Sequence, residues 1–370
     1  MRKFLIGASM AAISAGAASA GGIDRTGMAI DPLFQKGGYA ELSFGSVNPS
    51  VSGHDVAMFG GQPSGGVVGN YSQFSFAYKN DINSQLSYAI ILDQPFGADL
   101  SYGPSSIALG GTRVKAETLA GTFLMRYKLN ENFSVHGGVR ADNASGDITL
   151  KGAAYGPFSG YNVRLDQDLA WGYVVGAAYE RPDIALWIAL TYNSEITHNF
   201  DSVETLNGAP LGLPSVTKVS TPKSVNLDFQ TGVAADTLVF GQIRWAEWSA
   251  FQIDPKVFTP LAGGGLISLD DTTTWTLGVG HKFTENWSGA VSVSYEKKGN
   301  PLVSPLAPTN GRTGVSLAAI YTKDNMKITT GVNYTKLGDA MPETGTPDVA
   351  RADFTGNKVV GVGVKIGYSF

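Results

Sequence analysis

Cysteine is absent from all 370 residues, which excludes a disulfide scaffold, thiol catalysis and cysteine-ligated zinc. Charge is scarce as well, at 16% of the chain, where a soluble domain carries about a quarter. No apolar run is long enough to cross a bilayer as a helix, which takes about 20 residues. There is no G-x-S-x-G elbow, no H-E-x-x-H, no phosphate-binding loop and no Asp-rich calcium loop. His54, His136, His198 and His281 are far apart, with no metal-like spacing. The sequence therefore calls for no catalytic residues, no metal and no cofactor. A net charge of −4 without a charge block makes a nucleic-acid partner a poor fit.

What is present points to export. Arg2 and Lys3 precede an apolar stretch from Phe4 to about Ala17, then the small residues Ala18, Ser19 and Ala20. This is the layout of a secretory signal peptide over 1–20; its removal takes two cations and leaves the remainder more acidic. Glycine is abundant at 47 residues, aromatics reach 11%, and mean hydropathy is close to zero.

The organising pattern is period-two alternation, clearest at the C-terminus. Val360, Val362, Val364, Ile366, Tyr368 and Phe370 share one parity, opposed by Gly361, Gly363, Lys365, Gly367 and Ser369. Such a strand has unlike environments on its two faces, whether a soluble core or lipid. The same alternation recurs at 38–47, 71–78, 85–92, 114–129, 133–150, 163–180, 185–200, 218–234, 238–251, 272–283, 287–297, 313–322, 326–336 and the final stretch, which makes 14 strands. Short turns alternate with long loops, and Tyr and Trp gather near strand ends, as at Tyr78, Tyr127, Trp171, Trp275, Trp287 and Tyr334. These features select the membrane alternative: an all-β transmembrane antiparallel barrel over 38–370, with aromatic girdles at two interfaces. Closure follows, because strand edges in lipid cannot stay unpaired. A barrel of this size is too wide for its own side chains to fill. Residues 21–37, with Ile23, Met28, Ile30, Leu33 and Phe34 among charges and no alternation, supply an internal plug.

Leu92-Asp93-Gln94-Pro95-Phe96-Gly97-Ala98 after the third strand, Thr221-Pro222-Lys223-Ser224 before the eighth, and Arg244, Trp245, Trp248 and Phe251 in the ninth resemble the FadL/OmpP1/TodX family of outer-membrane transporters. The terminal Phe370 is similarly placed to the C-terminal signature of Gram-negative barrels, which implies recognition by the barrel assembly machinery. The N-terminal segment is shorter than the family's hatch; in place of the hatch's Asn-Pro-Ala motif, Asn48-Pro49-Ser50 comes after a strand. The resemblance implies a passive route for long-chain fatty acids or other hydrophobic compounds: capture by extracellular loops, passage above the plug, and release through the wall into outer-membrane lipid. Loops rich in Leu and Phe are costly to solvate, so Phe96, Leu100 and Leu109, Leu211 and Leu213, and Phe258 and Leu261 are the expected ligand contacts, with Arg164 as a cation for a carboxylate. Pro95 and Gly97 are the expected gate in the wall, because proline cannot donate to the ladder, and Leu33 and Phe34 its counterpart in the plug. The alternative is a general diffusion porin for small polar solutes, with an open, charge-lined lumen.

Overall fold

The computed structural model describes residues 23–345 and 347–370; the expected signal peptide lies outside them. Fourteen strands follow one another around a closed wall: β1 (Tyr39–Ser50), β2 (Tyr71–Asp81), β3 (Leu86–Asp93, resuming as Gly97–Ser101), β4 (Arg113–Lys128), β5 (Phe133–Leu150), β6 (Tyr161–Arg181), β7 (Leu186–Asn193, resuming as Ile196–Leu206), β8 (Ser215–Thr221, resuming as Ser224–Ala234), β9 (Thr237–Ala246), β10 (Thr272–Lys282), β11 (Trp287–Glu296), β12 (Arg312–Lys323), β13 (Met326–Leu337) and β14 (Lys358–Ser369). β1 closes on β14 along its whole length, from Tyr39↔Ser369 to Ser50↔Lys358. Every strand thus has two neighbours, the condition for surviving in hydrocarbon. Among the described residues no helix is long and apolar enough to cross a membrane.

Burial is inverted relative to a soluble domain. Val360, Val362, Ile366 and Tyr368 on β14, Leu317 on β12 and Val293 on β11 are exposed, while Thr122, Arg140, Asp142, Asn193, Asn226 and Arg244 are buried. Apolar side chains therefore point outward and polar ones inward, as a lipid-facing wall requires. Asx turns make the tight connections at one end: Asn130 Oδ1 accepts from the N–H of Asn132 and Phe133 at 2.9 and 2.8 Å. Asp236 and Asp324 take the left-handed conformation in two-residue turns, which aspartate tolerates.

At the opposite end the long loops pack into a cap. Buried Asp55 accepts from Ser106 Oγ and the N–H of Ile107 and Ala108. Glu204 accepts from Tyr161 and from the N–H of Val257 and Phe258, at the start of the short helix α1 (Phe258–Ala262). Tyr102, fully buried, donates to the Pro305 carbonyl at 2.9 Å.

The strand count agrees with the alternation, but the structure corrects strand ends. β7 and β8 extend to Leu206 and back to Ser215, beyond the expected 200 and 218. From Ile196 on, the outward residues Thr197, Asn199 and Asp201 are polar, because the ladder continues above the apolar band. β9 stops at Ala246, short of 251, and a 3-10 turn, Trp248–Ala250, follows.

Candidate functional site

Under the cap lies a narrow apolar cavity of about 90 Å3, walled by Ile23, Phe96, Val114, Leu165, Phe200 and Trp248 among others. Phe96 and Trp248 meet edge to face at 5.6 Å. It exists because the strands change face on the way up. On β7 the buried inward set is Ala189, Thr191 and Asn193 below the break, and Ile196, His198 and Phe200 above it. On β8, Ser224, Asn226 and Asp228 below give way to Thr217, Val219 and Thr221 above. β6 makes the same switch at a register shift opposite Ala144/Gly146. One extra residue in a strand moves every later side chain to the other face, so β7 and β8 turn mostly polar side chains inward below, while Ile196, Phe200, Val219 and, on β6, Leu165 turn inward above.

The floor of the cavity is polar and tightly paired. The Arg244 guanidinium donates to Asp24 at 2.9 Å, Ser224 at 2.8 Å and Asn226 at 2.9 Å, and both ion-pair partners are buried. Arg140 donates to Thr122, Asn193 and the Met28 sulfur, and Thr26 donates to Asp93. His198, inward at the cavity edge, has Nδ1 3.1 Å from Asp168 and Nε2 3.6 Å from Asp142. Its ring stacks on Phe200. Lower still, a space of about 220 Å3 is lined by Asp31, Glu41, Asp228, Gln242 and Lys365.

One side of the cavity has an incomplete wall. The β2–β3 ladder runs from Asp81↔Ser87 to Phe76↔Leu92 and stops; beyond it the Gln94 side chain accepts from Phe74 N–H at 3.2 Å. β3 breaks at Gln94–Phe96 and turns to the N-terminal segment. Arg25 N–H donates to Pro95 O at 2.8 Å and Gly97 N–H to Ile23 O at 3.0 Å. The Arg25 guanidinium lies over the Tyr71 ring at 4.2 Å. A Cβ at Gly97 would fall 2.5 Å from Arg25 Cζ, so glycine is what allows the guanidinium to sit there.

At the periplasmic end the same segment is held by aromatic contacts. Phe34, in the 3-10 turn Asp31–Phe34, stacks on Trp187 at 4.9 Å, with Arg126 over its ring at 4.7 Å. Leu33 is fully buried beside it.

Of the residues singled out in the sequence, Phe96 and Gly97 line the cavity; Pro95 lies in the β3 break, and the strand resumes at Gly97. Leu100 and Leu109 are buried in the cap core, with Leu211 packed against it. Phe258 packs on Tyr161 at 4.6 Å, whereas Leu213 and Leu261 are exposed, at 87% and 64%. Arg164 points away from the cavity and pairs with Asp166 at 2.8 Å. Sequence reasoning placed Ile23 in the plug but not in the cavity wall, and missed Val114, Leu165, Phe200 and Val219; the signal for these four was apolar residues on the inward parity at the extracellular ends of strands.

The chain matches the family model described as outer membrane protein transport protein (OMPP1/FadL/TodX) over residues 46–370. No curated protein matches it significantly. Among solved structures it is similar to a Pseudomonas aeruginosa FadL homologue, with TM-score 0.70, 16% identity and 92% of each chain covered. The P. putida toluene transporter TodX superposes with TM-score 0.65 at 16% identity over 90% of each chain. The Ralstonia pickettii toluene transporter TbuX gives 0.60 at 13% identity, covering 92% of this chain and 91% of that one. These likenesses establish the fold.

Proposed function

We propose, from the premise that this chain belongs to the OMPP1/FadL/TodX family of outer-membrane transport proteins, that it is a passive importer of small neutral hydrophobic molecules. The protein is an outer-membrane β-barrel, and its family is one of transport proteins, so no reaction is asked of the site. The observation that carries the reading is the apolar cavity bounded below by paired buried charges and on one side by an incomplete wall. An apolar molecule gains nothing by descending, since the floor would have to give up its ion pairs. The β2–β3 gap, flanked outside by the exposed Phe44 and Phe74, offers a path into lipid. In this reading Ile23 to Phe34 is the plug, Arg25 the bolt across the gap, and Phe34 the anchor.

Size and charge favour compact neutral cargo over long-chain fatty acids. An apolar cavity of about 150 Å3 accepts benzene; at about 90 Å3 this one takes a single ring once its walls shift. A fatty acid would also bring a carboxylate to a lining whose one inward ionisable side chain, His198, faces two carboxylates. Toluene is the compound named for the Pseudomonas putida and Ralstonia pickettii relatives, which supports the same class here. Phe370, exposed beside Tyr78 at the periplasmic rim, is proposed as the contact for the barrel assembly machinery.

Uptake of radiolabelled toluene and oleate by cells with and without the gene tests the reading. Toluene uptake falls on deletion and oleate uptake does not; equal toluene uptake overturns it. Purified protein in planar bilayers gives small or closed conductances, whereas large steady ohmic steps would return the assignment to a diffusion porin.

A further inference from the structure

The wall of the cavity carries an indole N–H that its surroundings leave unused. Trp248 is fully buried and forms part of the cavity wall, yet its indole Nε1–H has no hydrogen-bond partner among the described residues. Its ring neighbours are Phe96 at 84° and Phe251 at 72°, whose π faces are weak acceptors at best. Buried Trp N–H groups ordinarily find a partner, and an orphan calls for an explanation. Thr118 Oγ donates to Phe96 O and Thr221 Oγ accepts from Ile196 N–H. His198 Nδ1 meets Asp168 at 3.1 Å; its Nε2 also makes no hydrogen bond, but it faces the Asp142 carboxylate at 3.6 Å, a ready partner that the Trp248 indole lacks. Lys115 and Glu117 pair with each other on the exposed face of β4.

We infer that Trp248 is the specificity-determining residue of this site, and that its indole N–H donates to a neutral oxygen acceptor, such as a ketone or ester carbonyl, on an otherwise hydrophobic ligand. The inference rests on the transport reading above and narrows its cargo to oxygen-bearing apolar compounds in preference to bare hydrocarbons. A free carboxylate also accepts hydrogen bonds, but burying its charge without a cation costs far more than one indole N–H returns. A neutral carbonyl brings no such cost.

The test compares acetophenone with ethylbenzene, which share a carbon skeleton and differ at the carbonyl. Equilibrium dialysis of the full-length protein in liposomes, corrected for protein-free liposomes, gives acetophenone a threefold to tenfold advantage, roughly what one neutral hydrogen bond contributes. Trp248→Phe removes the N–H and keeps an aromatic ring; the ratio of acetophenone to ethylbenzene retained falls to about one, whatever the two retentions do together. In the wild-type protein, nitrogen-labelled tryptophan shows one indole N–H resonance shifting downfield with acetophenone and not with ethylbenzene, a readout independent of the variant's folding. Equal retention of the two probes by the wild type, or an unmoved indole signal, overturns the inference while the transport reading stands. If neither probe is retained above the lipid background, the transport reading itself has failed.

Discussion

The break in β3 and the paired breaks in β7 and β8 begin alike and end differently. Each falls beyond an inward polar residue, Asp93 or Asn193, and each region holds a proline, Pro95 or Pro222. In β3 one strand breaks beside an unbroken β2, and the ladder between them is not resumed above Phe76↔Leu92. In β7 and β8 two neighbours break together, so their pairing resumes in register: Asn193↔Ser224 below, Ile196↔Thr221 above. Toward β6, side chains replace the missing ladder bonds. Ser194 Oγ accepts from Tyr173 N–H, and Asp168 accepts from Asn199 N–H. A wall tolerates an interruption when a neighbour shares it, and opens when none does.

The largest expected effect comes from freeing the element that guards the open break. Arg244→Ala leaves Asp24 buried without its cation, and breaking a buried pair from one side costs about 3–5 kcal/mol. The segment carrying Arg25 then leaves its place; thermal unfolding in detergent falls and bilayer conductance rises. A smaller effect follows from Gly97→Val, whose side chain would collide with Arg25 Cζ. Overpacking of this kind costs about 1–3 kcal/mol. It lifts the guanidinium off Tyr71, and toluene uptake per barrel rises. Unchanged uptake would mean that Arg25 does not bar the gap.

The wall was legible in the sequence because lipid on one side and a polar lumen on the other impose a strict period of two, and fourteen stretches obeyed it. The breaks were only half legible. Pro95 and Pro222 announce an interruption, but whether an interruption opens depends on what the adjacent strand does, and that is a cross-strand fact no single stretch carries. The cavity was least legible. Phe200, Val219 and Leu165 lie on the inward parity only after the face switch, and that switch is one residue long. The cost of solvating apolar side chains points to the loop leucines as contacts; Leu100 and Leu109 instead meet that cost by filling the cap core, and Leu213 is simply exposed.

Ser194→Ala sharpens the comparison from the closed side. It strips Tyr173 N–H of its acceptor, worth about 1 kcal/mol, and leaves the β7–β8 pairing intact. A small drop in thermal stability with unaltered toluene uptake is expected; a rise in uptake would show that the second break also leaks.

The smallest effect concerns the cap above both breaks. Glu343, in the loop between β13 and β14, is pushed up to about 7 by burial and then by the nearby Asp348, with Arg351 opposing. Below about 7 the folded cap keeps a proton that the unfolded chain releases near the ordinary carboxylate range, so folding takes up a proton across that window. The strain of the ionised group is fully present above about 7 and fades as the pH falls. Glu343→Gln removes the group that titrates, so amide exchange across 341–345 slows relative to wild type at about pH 8 and matches it near pH 5. Because this loop lies in the cap and not at either break, toluene uptake by the variant keeps the wild-type pH profile; a shifted profile would mean that the cap, and not the β3 break, sets the rate of passage.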